Sequence, residues 1–449
     1  MTNIVVAGDV YRGSMSPLAT ILEPRSIERA SPRRGVACTA SAQSAQEDRL
    51  AFADVLRLVA ILGVVFNHLA LVSGIHPFDP RDDFGCIGAW GVNCFFVLSG
   101  FLLSRPYLES ILGRRPFPST QLFLTRRFFR IYPLYAFAVV VSGFEVAMHA
   151  PHDVPIASML SHLTFLHGFS TVEVLSLNSP FWTMAVDAQF YILLPLGAFV
   201  LGAVARTSGR VSGTTIIAGA IAATIALSLA VRWYVFSHLS ASIVGDSIGP
   251  AFVLARNAVG MGTAFALGIL LALLQLFGKR PGRLPASVIG AAGIACLLFL
   301  IWCARVYGTT PEYAIGYDAL AAVSAALILL GFGEGAFNVA GIVRRSRRVT
   351  ELAALAYAVY LFHWLIIDMV NHTVEKQAHW ASGSLEYFAG ITVPTLIATA
   401  IVATVAHRFV EKPFLTLRDR NREAAPEVAA STSRSRDAVK RLPSRTSVL

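Results

Sequence analysis

Arg57 and His68, eleven residues apart in the run DVLRLVAILGVVFNHLALVSG, are the first pair that could do chemistry. On an α-helix that separation returns to within about 20° of the same face, some 16 Å along the axis. Imidazole is the side chain whose ordinary proton affinity suits acid–base work near neutral pH, and an ionisable group inside an apolar run points to function by default. A histidine that only hydrogen-bonds a neighbouring helix is the plainer reading, and the residues alone leave both open. Arg127 and Arg130 stand three apart in LTRRFFRIYPLY and so share a helix face. Two guanidiniums facing one way suit a polyanion such as a pyrophosphate, or they are basic residues reaching for lipid phosphates. In NSPFWTMAVDAQFYILLPL, Asp187 and Gln189 head an apolar run, and Asp187 and Tyr191 lie one turn apart. A carboxylate there is costly unless paired. It could orient or charge-balance a catalytic histidine, or sit wetted at an interface. His363 lies in AYAVYLFHWLII near Tyr357 and Tyr360, while Ser99 and Gly100 in GVNCFFVLSGFLL are small enough to let helices approach closely. The five cysteines are scattered, with no CxxC and no paired-histidine spacing, so neither a disulfide framework nor a metal site is expected.

The elements that must position these residues are apolar stretches long enough to span about 30 Å of hydrocarbon. They fall near 52–73, 85–104, 131–149, 181–204, 214–236, 252–277, 285–305, 315–333, 351–371 and 387–409. The expected fold is all-α, a polytopic transmembrane helical bundle of about ten spans, with a short interfacial helix within 156–169. Composition agrees: 55% of the 449 residues are apolar and 14% charged, against about 25% charged in a soluble domain. The mean hydropathy is +0.61. That excludes a disordered chain and a single soluble core. Residues 1–50 and 415–449 are polar and aperiodic and read as disordered tails flanking a membrane domain at 51–414.

The net charge of +10 is better explained by basic loops than by nucleic acid. Alternate loops hold fifteen basic residues, among them Arg105, Arg114, Arg115, Arg210, Lys279, Arg280, Arg344 and Arg345, whereas the other loops hold only Arg81, Arg305 and Lys376. The asymmetry puts both termini in the cytoplasm of a multi-pass inner-membrane protein. The two halves show no internal repeat, which weakens a transporter reading.

Taken together, and in this order, Arg57 to His68, FFVLSGFL at 95–102, RRFFRIYPLY at 126–135, FWTMAVDAQFY at 181–191, YLFH at 360–363 and VEKPF at 410–414 resemble acyltransferase family 3, the bacterial integral-membrane O-acyltransferases. The resemblance covers about residues 50–415. It implies that His68 is the essential histidine, Arg57 its partner arginine, and Arg127 and Arg130 the pair near the acyl-CoA. Asp187 stands where the family usually has Glu, one methylene longer, and would join the catalytic set. Asn67, Ser99, Trp182, Gln189, Tyr191 and His363 would support the site, with His363 expected to matter less than His68. The implied reaction moves an acyl group, acetyl being the expected one, from cytoplasmic acyl-CoA to a hydroxyl of a cell-envelope or exported carbohydrate. No bound cofactor is implied; acyl-CoA is a co-substrate, the lipid bilayer the surroundings, and nucleic acid no partner. The roughly 16 Å from Arg57 to His68 is comparable with a pantetheine arm. His68 would act as general base or as a transient acyl carrier. A transporter or flippase of a glycan or lipid-linked substrate is the rival class, since it would use the same intramembrane ionisable residues.

Overall fold

The computed structural model describes residues 32–74, 85–149, 156–209, 211–239, 249–278, 282–307, 311–333, 347–377, 380 and 382–418. Arg81, Arg210, Lys279, Arg280, Arg344 and Arg345, with residues 1–31 and 419–449, lie outside them. The chain divides into two compact units, Met1–Ser44 and Ala45–Leu449. Of the first, residues 32–44 are helical.

Among the described residues all regular structure is helical. The helices are α1 (Pro32–Ser73), α2 (Gly85–Ile111), α3 (Thr120–His149), α4 (Ile156–Leu163), α5 (Trp182–Thr207), α6 (Gly213–His238), α7 (Pro250–Ala255), α8 (Gly262–Leu276), α9 (Arg283–Tyr307), α10 (Pro311–Gly333), α11 (Arg347–Gln377) and α12 (Leu385–Ala406). Nine of the described helices are long and apolar enough to cross a membrane. Helices satisfy every backbone polar group internally, which hydrocarbon surroundings demand.

Three expectations change. Residues 32–50, expected to be disordered, are helical; the stretch VACTASAQSAQEDRL is rich in Ala and Gln, both good helix formers. At the other end helix continues to residue 418 rather than stopping at 414. The span expected at 252–277 is broken into α7 and α8. Asn257 causes the break locally, its Oδ1 accepting from the backbone N–H of Val259 and Gly260. Neighbouring helices satisfy the backbone groups this frees. Gln189 Oε1 of α5 accepts from Ala258 N–H, and Ser228 Oγ of α6 donates to Gly260 O and accepts from Thr263 N–H. The interfacial helix expected within 156–169 is α4 with a short 3-10 turn at Leu166–Phe169. Its Ile156, Leu160, Leu166 and Phe169 face outward.

One apolar core runs through the second unit. Gly100 of α2 and Gly268 of α8 set its tightest crossing: a Cβ on Gly100 would stand 2.3 Å from Phe265 O, and one on Gly268 2.1 Å from Val97 O. Small residues let spans pack this closely where no hydrophobic drive exists between helices and lipid. Gly100 therefore performs the close-approach role, while Ser99 faces elsewhere.

Candidate active site

Helices α1, α2, α3, α5 and α11 line an open cavity. Six of the residues singled out from sequence line it: Arg57, Ser99, Arg127, Arg130, Asp187 and Tyr191. The three-residue spacing of Arg127 and Arg130 works as expected, since both point inward from the first turns of α3. Thr183, Tyr357 and Tyr360 also line the cavity, and Phe95 and Tyr360 meet edge-on at 5.9 Å.

Each arginine has an acidic neighbour. Arg57 pairs with Asp54 on the same helix. Arg130 Nη1 lies 3.8 Å from Glu411 Oε1, whose residue is 1% exposed. Glu411 follows α12 on a wide π turn, His407–Glu411, where His407 Nδ1 sits 2.8 Å from its other oxygen. The VEKPF stretch thus supplies a partner to the arginine pair. Arg127 feels the charge of Asp187, which lines the cavity together with Tyr191 one turn on.

His68 is not in the cavity wall. It lies further along α1 than Arg57, and His363 lies one turn beyond Tyr360 on α11. The two imidazoles lie nearly parallel and meet edge to edge, with ring centroids 5.1 Å apart and His68 Nδ1 2.9 Å from His363 Nε2. His363 is fully buried, and its Nδ1 lies 2.7 Å from Tyr360 O and 3.1 Å from Val359 O. Carbonyl oxygens only accept, so His363 Nδ1 carries the hydrogen. In the uncharged pair His363 Nε2 is then the acceptor and His68 Nδ1 the donor, which leaves the lone pair of His68 on Nε2. The order of protons is set by two backbone carbonyls. Among the described residues the partner of His68 is therefore His363, and Asp187 belongs to the arginine cavity instead. Trp364 packs edge-on against the His68 ring at 4.9 Å.

The remaining sequence candidates hold the frame. Asn67 packs against the backbone of α2 at Gly88. Gln189 clips the α7–α8 break. Trp182 stacks under the guanidinium of Arg256 at 4.8 Å and meets Phe96 at 6.4 Å. Arg256 belongs to a buried polar cluster not singled out from the sequence. Its Nη2 donates to Tyr317 Oη at 2.6 Å. Nearby, Arg232 Nη1 pairs with Asp318 Oδ2 at 2.6 Å, and Asn93 Nδ2 donates to Asp318 Oδ1 at 2.7 Å. The signal was available: Arg232, Arg256 and Asp318 are charges within apolar runs, which the rule for intramembrane ionisable residues flags.

In outline, a cavity carrying three arginines is bounded by Phe95 and Tyr360, and an oriented histidine pair lies next to Tyr360, whose ring is 5.7 Å from that of His363. The first part can hold a polyphosphate, and the second can take a proton.

Comparison with known proteins adds identity to geometry. A family model described as an acyltransferase domain matches residues 50–404. The acyltransferase MdmB of Streptomyces mycarofaciens is 24% identical over 363 residues, covering 76% of this chain and 84% of MdmB. The peptidoglycan O-acetyltransferase OatA of Listeria monocytogenes is 26% identical over 383 residues, covering 80% of this chain and 55% of OatA. Nodulation protein 10 of Rhizobium leguminosarum is 23% identical over 394 residues, covering 81% of this chain and 93% of that protein. No solved structure matches the chain significantly.

Proposed function

The chain belongs to acyltransferase family 3, a family of integral-membrane O-acyltransferases, and on that premise we propose how and on what it acts. The donor is acyl-CoA entering from the cytoplasm, and acetyl is the group moved. The acceptor is a hydroxyl of a cell-envelope or exported carbohydrate, a class that the likeness to a peptidoglycan O-acetyltransferase suggests. Arg57, Arg127 and Arg130 hold the CoA phosphates, since planar guanidiniums grip phosphate oxygens two at a time. The pantetheine arm runs past Ser99 and Thr183 toward Phe95 and Tyr360. The protein lies in the inner membrane with both termini cytoplasmic, as the basic loops favour, the broken α7–α8 segment making a tenth crossing beside the nine long helices.

His68 is the base. Its Nε2 takes the proton of the acceptor hydroxyl as that oxygen attacks the thioester carbonyl carbon. The tetrahedral intermediate collapses, the C–S bond breaks, and the CoA thiolate recovers the proton from His68. His363 holds the imidazole in the tautomer with Nε2 free and stays hydrogen-bonded when His68 becomes charged, as the third member of a triad does for its base. The observation that carries this reading is the hydrogen bond from His68 Nδ1 to His363 Nε2 at 2.9 Å, anchored on backbone carbonyls. A transient acyl-imidazole on the same Nε2 would instead give ping-pong kinetics.

Mass spectrometry of envelope carbohydrates from cells with and without the gene tests the acceptor class: loss of an acetyl mass from one glycan supports it, and identical glycans refute it. Labelled acetyl-CoA added to inside-out vesicles tests the donor. Labelled glycan that accumulates without acyl-CoA would favour the transporter class instead.

A further inference from the structure

Behind the arginine cavity lies a second, open recess between α2, α5, α6 and α8. Its floor is buried and apolar: Leu108, Phe190, Leu194, Ile217 and Phe265 are each less than 10% exposed. Its rim is open, with Leu193 at 47% and Leu227 at 54% exposed. Phe190 and Phe265 stack at 4.0 Å, and Phe265 lies 4.9 Å from Phe96. Since Phe96 lines the arginine cavity, these rings form the partition between the two spaces.

Two hydroxyls on this wall have no partner among the described residues. Ser104 Oγ and Tyr107 Oη, three residues apart on α2, belong to side chains buried to 1% and 2% exposure. Leaving a buried hydroxyl unmade costs about 1–3 kcal/mol. Gly197 on α5 also lines the recess, and a Cβ built there meets nothing within 4 Å. Along α5 the lining runs from Phe190 to Leu201, a rise of about 16 Å, close to the depth of one leaflet of a hydrocarbon core about 30 Å thick.

We propose that this recess seats one fatty-acyl chain of a bilayer phospholipid, with an ester carbonyl of that lipid accepting hydrogen bonds from Ser104 and Tyr107. The opening between the exposed flanks of α5 and α6 faces where hydrocarbon lies, so the occupant arrives by lateral diffusion. Its lining contains no basic residue, so nothing in it favours the phosphates of a thioester donor. The bound chain would press on Phe190 and Phe265 and so back the partition of the arginine cavity. This inference does not depend on the acyl-transfer reading.

The test uses the full chain in nanodiscs containing a small fraction of phosphatidylethanolamine with a diazirine in one acyl chain. After irradiation, adducts are mapped by peptide mass spectrometry. Adducts on Leu194, Ile221 and Phe265 should exceed those on Ile192, Leu196 and Phe199, the outward side chains of α5, by about tenfold, equivalent to about 1.4 kcal/mol. Gly197→Phe, which enters open space, should remove the recess adducts while leaving the outward ones. Ser104→Ala combined with Tyr107→Phe should lower them about tenfold. Equal labelling of recess and outward positions, or labelling unchanged in Gly197→Phe, overturns the proposal. Stronger recess labelling from a diazirine fatty acyl-CoA than from the phospholipid also overturns it, because the occupant would then be the donor chain.

Discussion

Replacing His68 by Gln separates a base from a packing residue. The glutamine amide can still donate to His363 Nε2, so the contact that spans 2.9 Å in the native pair can be kept and the bundle should insert normally. What disappears is the lone pair on Nε2, because an amide has no useful basicity. Loss of a general base costs about 10²–10⁴ in rate, or about 3–5 kcal/mol of transition-state stabilisation. The matching change at His363, His363→Phe, keeps the bulk but removes the acceptor that fixes the His68 tautomer. A wrong tautomer costs up to about 10⁴ in the serine-protease triad, so His363→Phe should lose at least tenfold, a larger role than its sequence position suggested. The assay is transfer of label from acetyl-CoA into envelope carbohydrate by protein in nanodiscs, with acetyl-CoA binding measured in parallel. Transfer should fall while binding holds in both variants. If His68→Gln keeps a tenth or more of wild-type transfer, His68 is not the base, and the proton order drawn from the two carbonyls has no catalytic meaning.

Arg127→Ala with Arg130→Ala should abolish measurable acetyl-CoA binding by calorimetry, and Lys at both should restore it only in part; unchanged affinity would reduce the pair to a topology signal. Asp187→Asn should cut transfer strongly in protein that still inserts, whereas Asp187→Glu should remain active; near-normal turnover in the Asn variant would show that the carboxylate is dispensable. Reporter fusions after Arg210 and after Glu312 should report opposite sides of the membrane, and the same side for both would sink the topology. The last prediction concerns His167, whose ring stacks on His162 at 4.0 Å outside the long apolar helices. Burial, with His162 beside it, holds the His167 imidazole down from 6.5 to about 4. Between those values the unfolded segment binds more protons than the folded one, so stability falls as pH drops through the window, by about 3 kcal/mol at its lower end. Hydrogen exchange over residues 156–178 should quicken from pH 7 to pH 4 beyond the intrinsic rate, and His167→Gln should flatten that change; constant protection would refute it.

The long spans were legible because twenty or so apolar residues in a row admit few other structures. The arginine pair was legible because spacing of three fixes a common helix face. The break between α7 and α8 was not, because what makes it tolerable comes from elsewhere: Gln189 and Ser228 satisfy its backbone from other helices. The pairing of His68 with His363 has no local signature either, since 295 residues separate them. Reading Asp187 as the partner of a histidine reasoned from chemical type alone. The helix phase instead turns it, with Tyr191, toward Arg127. Charges such as Arg232 and Asp318 were readable by type, but the runs around them stay apolar and draw the eye to span length.

The acids beside two of the cavity arginines change the character of binding. Asp54 at Arg57 and Glu411 at Arg130 act as resident counter-ions. Two of the three guanidiniums already hold a carboxylate, so a phosphate reaches them by exchange, displacing that carboxylate, and not by capture at a bare positive hole. Exchange gives weaker holding than capture, and the displaced acid stands ready to reclaim its arginine. For a carrier that must depart after every turnover, the same carboxylates that tax its arrival hasten its leaving.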